Sequence, residues 1–190
     1  MTATVEMPVF DTGLDDLVPG APDLLILASM MLSYPDERLC AARADILSAL
    51  ADVPDSPVRG ELVEFADWWA GMDEDMLRQM YVATFDTRRS STLYMTYLSC
   101  GDTRERGQAL LDFKQLYRSV GFVPTDDELP DFLPTICQFA ALAPQDVALE
   151  AWKMARLGID YVREALVKQA SPYAHILAAI AMIVEKELEP

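Results

Sequence analysis

T-L-Y-M-T-Y-L, Thr92 to Leu98, is the stretch on which the fold class turns. Its β-branched and aromatic residues suit a strand. A lone strand leaves its backbone N–H and C=O groups unpaired, and no partner strand is evident elsewhere in the chain. The stretch is therefore read as a short helix ended by Gly101, and the chain as all-α.

The neighbouring segments agree with that reading. On the C-terminal side, Asp102 with Glu105 three residues on has the pattern of a capping box. The helix it opens carries Leu110, Phe113, Leu116, Tyr117 and Val120 on one face and stops at Gly121. Leu133 to Leu142 is a second helix, Gln145 to Gln169 a third, and Ser171-Pro172 opens a last one reaching about Leu188. On the N-terminal side, Thr87 to Ser91 is a loop. Asp73 caps a helix with Met76, Leu77, Met80, Tyr81 and Thr84. Ser56-Pro57 starts another that runs to Gly71, and Asp36 opens one through Leu39, Ile46, Leu47 and Leu50. Asp23 caps a helix to Ser33 whose run L-L-I-L-A-S-M-M-L is apolar nearly all round, which predicts a central position. Met1 to Pro22 is acidic, contains Gly13, Pro19, Gly20 and Pro22, and is read as a mobile tail. A docked arm through Val9, Phe10, Leu14 and Leu17 is the alternative. The expected architecture is a single-domain helical bundle of roughly eight to ten helices over residues 23–190.

Composition sets the limits on function. The chain has 190 residues, 52% hydrophobic, with a formal net charge of −16. That charge disfavours nucleic acid and anionic membranes and favours basic partners. Cys40, Cys100 and Cys137 are odd in number and widely spaced, which suits free, buried thiols in a reducing compartment. The N-terminus has no basic region followed by an apolar run, and no apolar stretch approaches the length of a membrane span. A soluble cytoplasmic protein is the expectation.

The densest cluster of unusual residues is T-D-D-E-L-P-D-F-L-P, Thr125 to Pro134. Asp126, Asp127, Glu128 and Asp131 place negative charge at a helix start, where the unpaired N–H groups favour it. Pro130 suits a first-turn position. Pro134 cannot donate to the carbonyl of Pro130, which is left for water, a side chain or a bound chain. One reading is an acidic helix start with a proline stop. The other is a rim that grips a partner peptide, in which case removing Glu128 and Asp131 together weakens binding and spares the melting temperature.

Catalytic patterns are missing from the sequence. There is no Gly-rich phosphate loop, and the single His175 sits in an apolar segment as a core histidine would. Paired acids at a helix start are explained by electrostatics. Met72, Met76 and Met80 at four-residue spacing are read as core filler, with an adaptable binding face as the alternative. Trp68 and Trp69 either anchor the core or line a groove. Arg104 and Arg106 suit a solvated helix face, while Arg88-Arg89, in a loop, is a better candidate for contact with a partner.

Several motifs in order then resemble a known family: Y-V-A-T-F-D-T-R-R-S-S-T-L-Y-M-T-Y (Tyr81 to Tyr97), G-D-T-R-E-R-G-Q-A-L (Gly101 to Leu110), F-K-Q-L-Y (Phe113 to Tyr117) and E-L-P-D-F-L-P (Glu128 to Pro134). They look like the molybdenum cofactor assembly chaperones of respiratory nitrate reductase, within the wider class of redox-enzyme maturation proteins. The resemblance implies a non-catalytic, all-helical cytoplasmic chaperone without a cofactor or metal of its own. Such a protein binds the N-terminal segment of an apo molybdoenzyme catalytic subunit, most readily that of nitrate reductase, while the molybdenum cofactor is inserted. It assigns peptide binding to Glu128, Leu129, Pro130, Asp131, Phe132, Leu133 and Pro134, together with Tyr81, Phe85 and Asp86. Phe132 stands where family members often have histidine, and it can still offer apolar contact to a bound helix. A general helical interaction module without a molybdoenzyme client is the rival reading, and a homodimer by exchange of helices is a further expectation.

Overall fold

The computed structural model describes residues 10, 12–101, 103–124 and 128–189. Among these the chain forms eleven α-helices and no strand. They are α1 (Leu14–Leu17), α2 (Ala21–Met31), α3 (Glu37–Ala41), α4 (Arg43–Asp52), α5 (Pro57–Ala70), α6 (Glu74–Tyr81), α7 (Met95–Cys100), α8 (Arg104–Ser119), α9 (Leu133–Leu142), α10 (Gln145–Lys168) and α11 (Tyr173–Leu188). The all-α expectation holds. The count exceeds it because α1 lies inside the expected tail, and because the helix expected from Asp36 breaks at Ala42 into α3 and α4.

Several boundaries follow the sequence signals closely. The Asp36 carboxylate accepts from the Leu39 N–H, Ser56 Oγ from the Arg59 N–H, and Asp73 from Asp75 and Met76. Each satisfies backbone donors that a helix start leaves open. Asp23 does not cap its helix. α2 begins two residues earlier, after Gly20 at φ 74°, with Asp23 in its first turn. Asp102 falls outside the described residues, as do Val9, Asp126 and Asp127. Pro134, not Pro130, occupies the first turn of α9.

The core forms around α2 as its apolar run predicts. Leu24, Leu25, Leu27, Ala28 and Met31 are all buried. Each large side chain there contributes on the order of 1.5–3 kcal/mol by leaving water. α2 packs against α9, α5 against α11, and α10 against α11, α9 and α7. Ser29, the one polar residue in the run, is satisfied: its Oγ donates to the Ile26 carbonyl at 2.8 Å and accepts from Gln138 at 3.2 Å. Within the expected tail, Leu14 and Val18 are buried in the same core, while Leu17 is exposed.

α10 and α7 cross closely at Gly158. A Cβ there would lie 2.5 Å from the Met95 carbonyl oxygen and 2.8 Å from its Cα, so only glycine permits the approach. That contact seats the N-terminus of α7, where the candidate site is built. Two core expectations are corrected. His175 is half-exposed, with Nδ1 2.8 Å from a Glu61 carboxylate oxygen. The methionine stripe is core filler at one end only: half-buried Met72 packs against the core, Met80 is half-buried and Met76 is exposed. Trp69 is a core anchor and Trp68 is half-buried. No described helix is long and apolar enough to cross a membrane.

Candidate functional site

The β-forming character of Thr92 to Leu98 is used in one place. Tyr94 is extended and makes a single antiparallel bridge to Phe132. The Leu133 N–H donates to the Leu93 carbonyl at 2.9 Å, and the Met95 N–H to the Asp131 carbonyl at 3.0 Å. The chain then turns into α7. Phe132 supplies the only partner a short extended stretch needs, so no sheet is required. The bridge also joins the segment ending at Tyr97 to the segment Glu128 to Pro134. The Tyr94 and Phe132 rings lie 5.3 Å apart, and the Tyr94 hydroxyl donates to Glu128 at 2.7 Å. Burial, then that carboxylate, keeps the Tyr94 hydroxyl protonated well above its ordinary range.

Asp131 is fully buried. Its Oδ2 accepts from the Thr96 backbone N–H at 3.0 Å and from the Thr96 hydroxyl at 2.6 Å. It therefore caps α7, whose N-cap residue, Tyr94, makes no side-chain capping bond of its own. The electrostatic reading of acids at a helix start holds for Asp131, but the helix is α7 rather than α9. Its burial and its two bonds to Thr96 set Asp131 apart from the exposed Glu128, with which the sequence groups it, and predict that its removal lowers the melting temperature. Pro130 is buried too, and its carbonyl, left open by Pro134, accepts from the Tyr117 hydroxyl at 2.6 Å. Burial, then the negative charge of Asp131, holds that phenol well above its usual pKa. Leu133 and Pro134 lie within the buried face of α9. Of the seven residues 128–134, only Glu128 and Leu129 are exposed, and Phe132 is half-buried.

Tyr81 and Phe85 are each 5% exposed. Their rings sit 4.9 Å apart, and Phe85 packs edge-on against Tyr173 at 4.8 Å. The Tyr81 hydroxyl donates to the Leu32 carbonyl at 3.1 Å, closing the end of α2. After α6 the chain widens into one π-helical turn, Val82–Asp86, in which the Thr87 N–H reaches the Val82 carbonyl at 3.1 Å. The extra residue advances the helix phase by about 100°. Phe85, four residues after Tyr81, faces the core with it, while Asp86 faces outward.

Phe85, Asp86 and Leu129 line one groove of about 360 Å³, together with Arg88, Arg89, Tyr94, Tyr97 and Arg106. The Arg106 guanidinium lies over the Tyr97 ring at 5.1 Å. The structure thus brings Asp86 and Leu129 to one surface, supported from beneath by Phe85 and beside it by Glu128 and Phe132. It leaves Tyr81, Pro130, Asp131, Leu133 and Pro134 as the framework below. The described lining contains three arginines against one aspartate, so the wall of this groove is not the acidic rim that the sequence suggests. Arg88 and Arg89 are two of those three arginines. Tyr94, Tyr97 and Arg106 were missed as lining residues. Arg106, read as a solvated cation, is placed by its stacking on Tyr97, a contact that spacing does not reveal. Among the described residues no group of three or more His, Cys, Asp or Glu is arranged to hold a metal ion.

Comparison with known proteins gives a consistent result. Residues 51–179 match the family described as the nitrate reductase delta subunit. A probable nitrate reductase molybdenum cofactor assembly chaperone of Bacillus subtilis is 34% identical over 157 residues, covering 83% of this chain and 85% of that protein. The corresponding assembly chaperone of Escherichia coli K12 is 30% identical over 131 residues, 68% of this chain and 56% of that one. A nitrate reductase-like protein of Mycobacterium tuberculosis is 36% identical over 153 residues, 80% of this chain but 23% of its own length.

Proposed function

This chain belongs to the nitrate reductase delta subunit family, and from that premise we propose that it is a cytoplasmic assembly chaperone for respiratory nitrate reductase. It binds the N-terminal segment of the apo catalytic subunit and holds that subunit while the molybdenum cofactor is inserted. Its work is recognition rather than catalysis. The observation that supports this most directly is the Tyr94–Phe132 bridge. It draws two motifs that are far apart in sequence onto one groove with an aromatic floor and a charged wall. An extended or helical peptide can bury apolar side chains against Leu129, Phe132 and Tyr94. Asp86, Glu128 and the arginines then fix its register. The molybdenum cofactor is cargo of the client enzyme in this reading.

Isothermal titration with the N-terminal peptide of the nitrate reductase catalytic subunit, beside a scrambled peptide, tests the proposal. The native peptide binds and the scrambled one does not. Leu129→Asp, at an exposed position, weakens binding at least about tenfold, as a buried interface carboxylate should, without lowering the melting temperature. Equal binding of both peptides, or wild-type affinity in Leu129→Asp, would overturn the assignment.

A further inference from the structure

α10 turns one stripe of side chains to solvent along most of its length. Glu150, Leu157, Tyr161 and Lys168 recur at intervals of seven, four and seven residues, which places them on one side of the helix, and all four are exposed. Leu157 is 59% and Tyr161 52% exposed, two large side chains one turn apart. Beside the C-terminal half of the stripe lies a cavity of about 500 Å³. Leu98 of α7 lines it with Tyr161 and Ala165 of α10, and so do the cations Arg88 and Lys168. The N-terminal half of the stripe carries the acid Glu150 and the uncovered Leu157 instead.

Reversed end to end, the stripe complements itself. Leu157 and Tyr161 lie two residues either side of position 159, and Glu150 and Lys168 nine residues either side of it. A second α10 run antiparallel, about a two-fold axis level with Ile159, therefore sets Leu157 opposite Tyr161 and Glu150 opposite Lys168, each contact occurring twice. A parallel arrangement would set Glu150 against Glu150 and Lys168 against Lys168. We infer that this face of α10 is an interface with a second copy of the chain, packed antiparallel, in which Leu157 of each copy enters the cavity of the other. Glu150 of each copy then reaches Lys168 and Arg88 of the other. Their present local bonds, Lys153 to Glu150 at 2.7 Å and Lys168 to Glu164 at 3.3 Å, join exposed groups and resist such an exchange only weakly. Each copy supplies one projecting side chain and one cavity, so the contact closes at two copies. No helix changes places, which distinguishes this pairing from the exchanged dimer expected from the sequence. The inference does not depend on what the groove described earlier binds.

Sedimentation velocity of the full chain tests it. The face of one helix is a small interface, so loading runs from about 10 µM to about 1 mM. Salt of about 0.15 M screens the repulsion between two chains of net charge −16. Wild type should pass from monomer to dimer across that range. Leu157→Asp should raise Kd at least about tenfold and, at an exposed position, leave the melting temperature of the dilute monomer unchanged. Glu150→Lys and Lys168→Glu should each raise Kd as much, by setting like charges opposite one another. Mixed in equal amounts, these two variants should form a heterodimer with near wild-type affinity, because every lysine at the two positions then faces a glutamate. The double variant Glu150→Lys/Lys168→Glu should dimerise like wild type for the same reason. A monomer throughout, a dimer indifferent to Leu157→Asp, as an exchange of helices would give, or a mixture that associates no more tightly than its separate components would overturn the inference.

Discussion

Asp131→Ala should unfold this protein more readily, although the sequence places the residue in an acidic surface motif. The carboxylate is fully buried and accepts two hydrogen bonds from Thr96, one from the backbone N–H at 3.0 Å and one from the hydroxyl at 2.6 Å. Alanine strands both donors away from water. The lost helix cap costs about 0.5–2 kcal/mol. Leaving the buried hydroxyl unpaired adds about 1–3 kcal/mol. The sum, about 2–5 kcal/mol, corresponds to a fall in melting temperature of roughly 4–20 °C for a chain of this size. Its other oxygen, Oδ1, has no hydrogen-bond partner among the described residues. Asp131→Asn keeps an acceptor for Thr96 and should therefore cost less than alanine. Thermal unfolding by circular dichroism, with Glu128→Ala as a surface control, measures the ranking: alanine lowest, asparagine intermediate, Glu128→Ala near wild type. A melting temperature for Asp131→Ala within a degree or two of wild type would refute the assignment of Asp131 to the framework and return it to the rim.

Two other predictions rest on single contacts. Gly158→Ala would place a Cβ 2.5 Å from the Met95 carbonyl oxygen, so α10 and α7 must separate. Urea unfolding should show a loss of about 1–3 kcal/mol, typical of overpacking, and an unchanged midpoint would contradict the close crossing. Glu187 is buried, and its carboxyl pKa is pushed up from 4.5 to about 7 by that burial, against a smaller opposing effect of the Trp152 N–H at 3.1 Å. Because the folded state holds this proton more tightly than the unfolded chain, the stability it confers is complete below pH 4.5 and is lost as pH rises through about 7. The melting temperature of Glu187→Gln, relative to wild type, should therefore climb across that interval and level off above it. A difference independent of pH would show that Glu187 is not held protonated.

Much of the fold was legible because it rests on local rules. Asp36, Ser56 and Asp73 cap the helices expected of them, and the all-round apolarity of residues 24–32 put α2 at the centre. What sequence could not supply was long-range partnership. Thr92 to Leu98 has the composition of a strand, but its extended part needs only Phe132 as partner. Asp131 carries the same charge on a rim or beneath it, and only the position of Thr96, 35 residues away in sequence, decides between the two. Pro134 leaves the carbonyl of Pro130 open by local geometry, but nothing in the apolar stripe that contains Tyr117 marks its hydroxyl as the partner. His175 looked like a core residue because its neighbours are apolar, while Glu61, from another helix, holds it at the surface.

These buried bonds change how the motif Glu128 to Pro134 is to be tested. Three buried bonds, one from Tyr117 to the Pro130 carbonyl and two from Thr96 to the Asp131 carboxylate, hold the segment from below, and one phenol–carboxylate bond, Tyr94 to Glu128, holds it at the surface. The same short segment therefore fixes α7, terminates the extended pair and presents Leu129 to the groove. A substitution at Pro130, Asp131 or Leu133 will reduce peptide binding through loss of the framework, whether or not the residue touches a peptide. Only changes at exposed positions, Leu129, Asp86 and Glu128 foremost, separate recognition from folding. A variant set that reads affinity and melting temperature together should accordingly split in two: the buried positions lose both, and the exposed ones lose affinity alone.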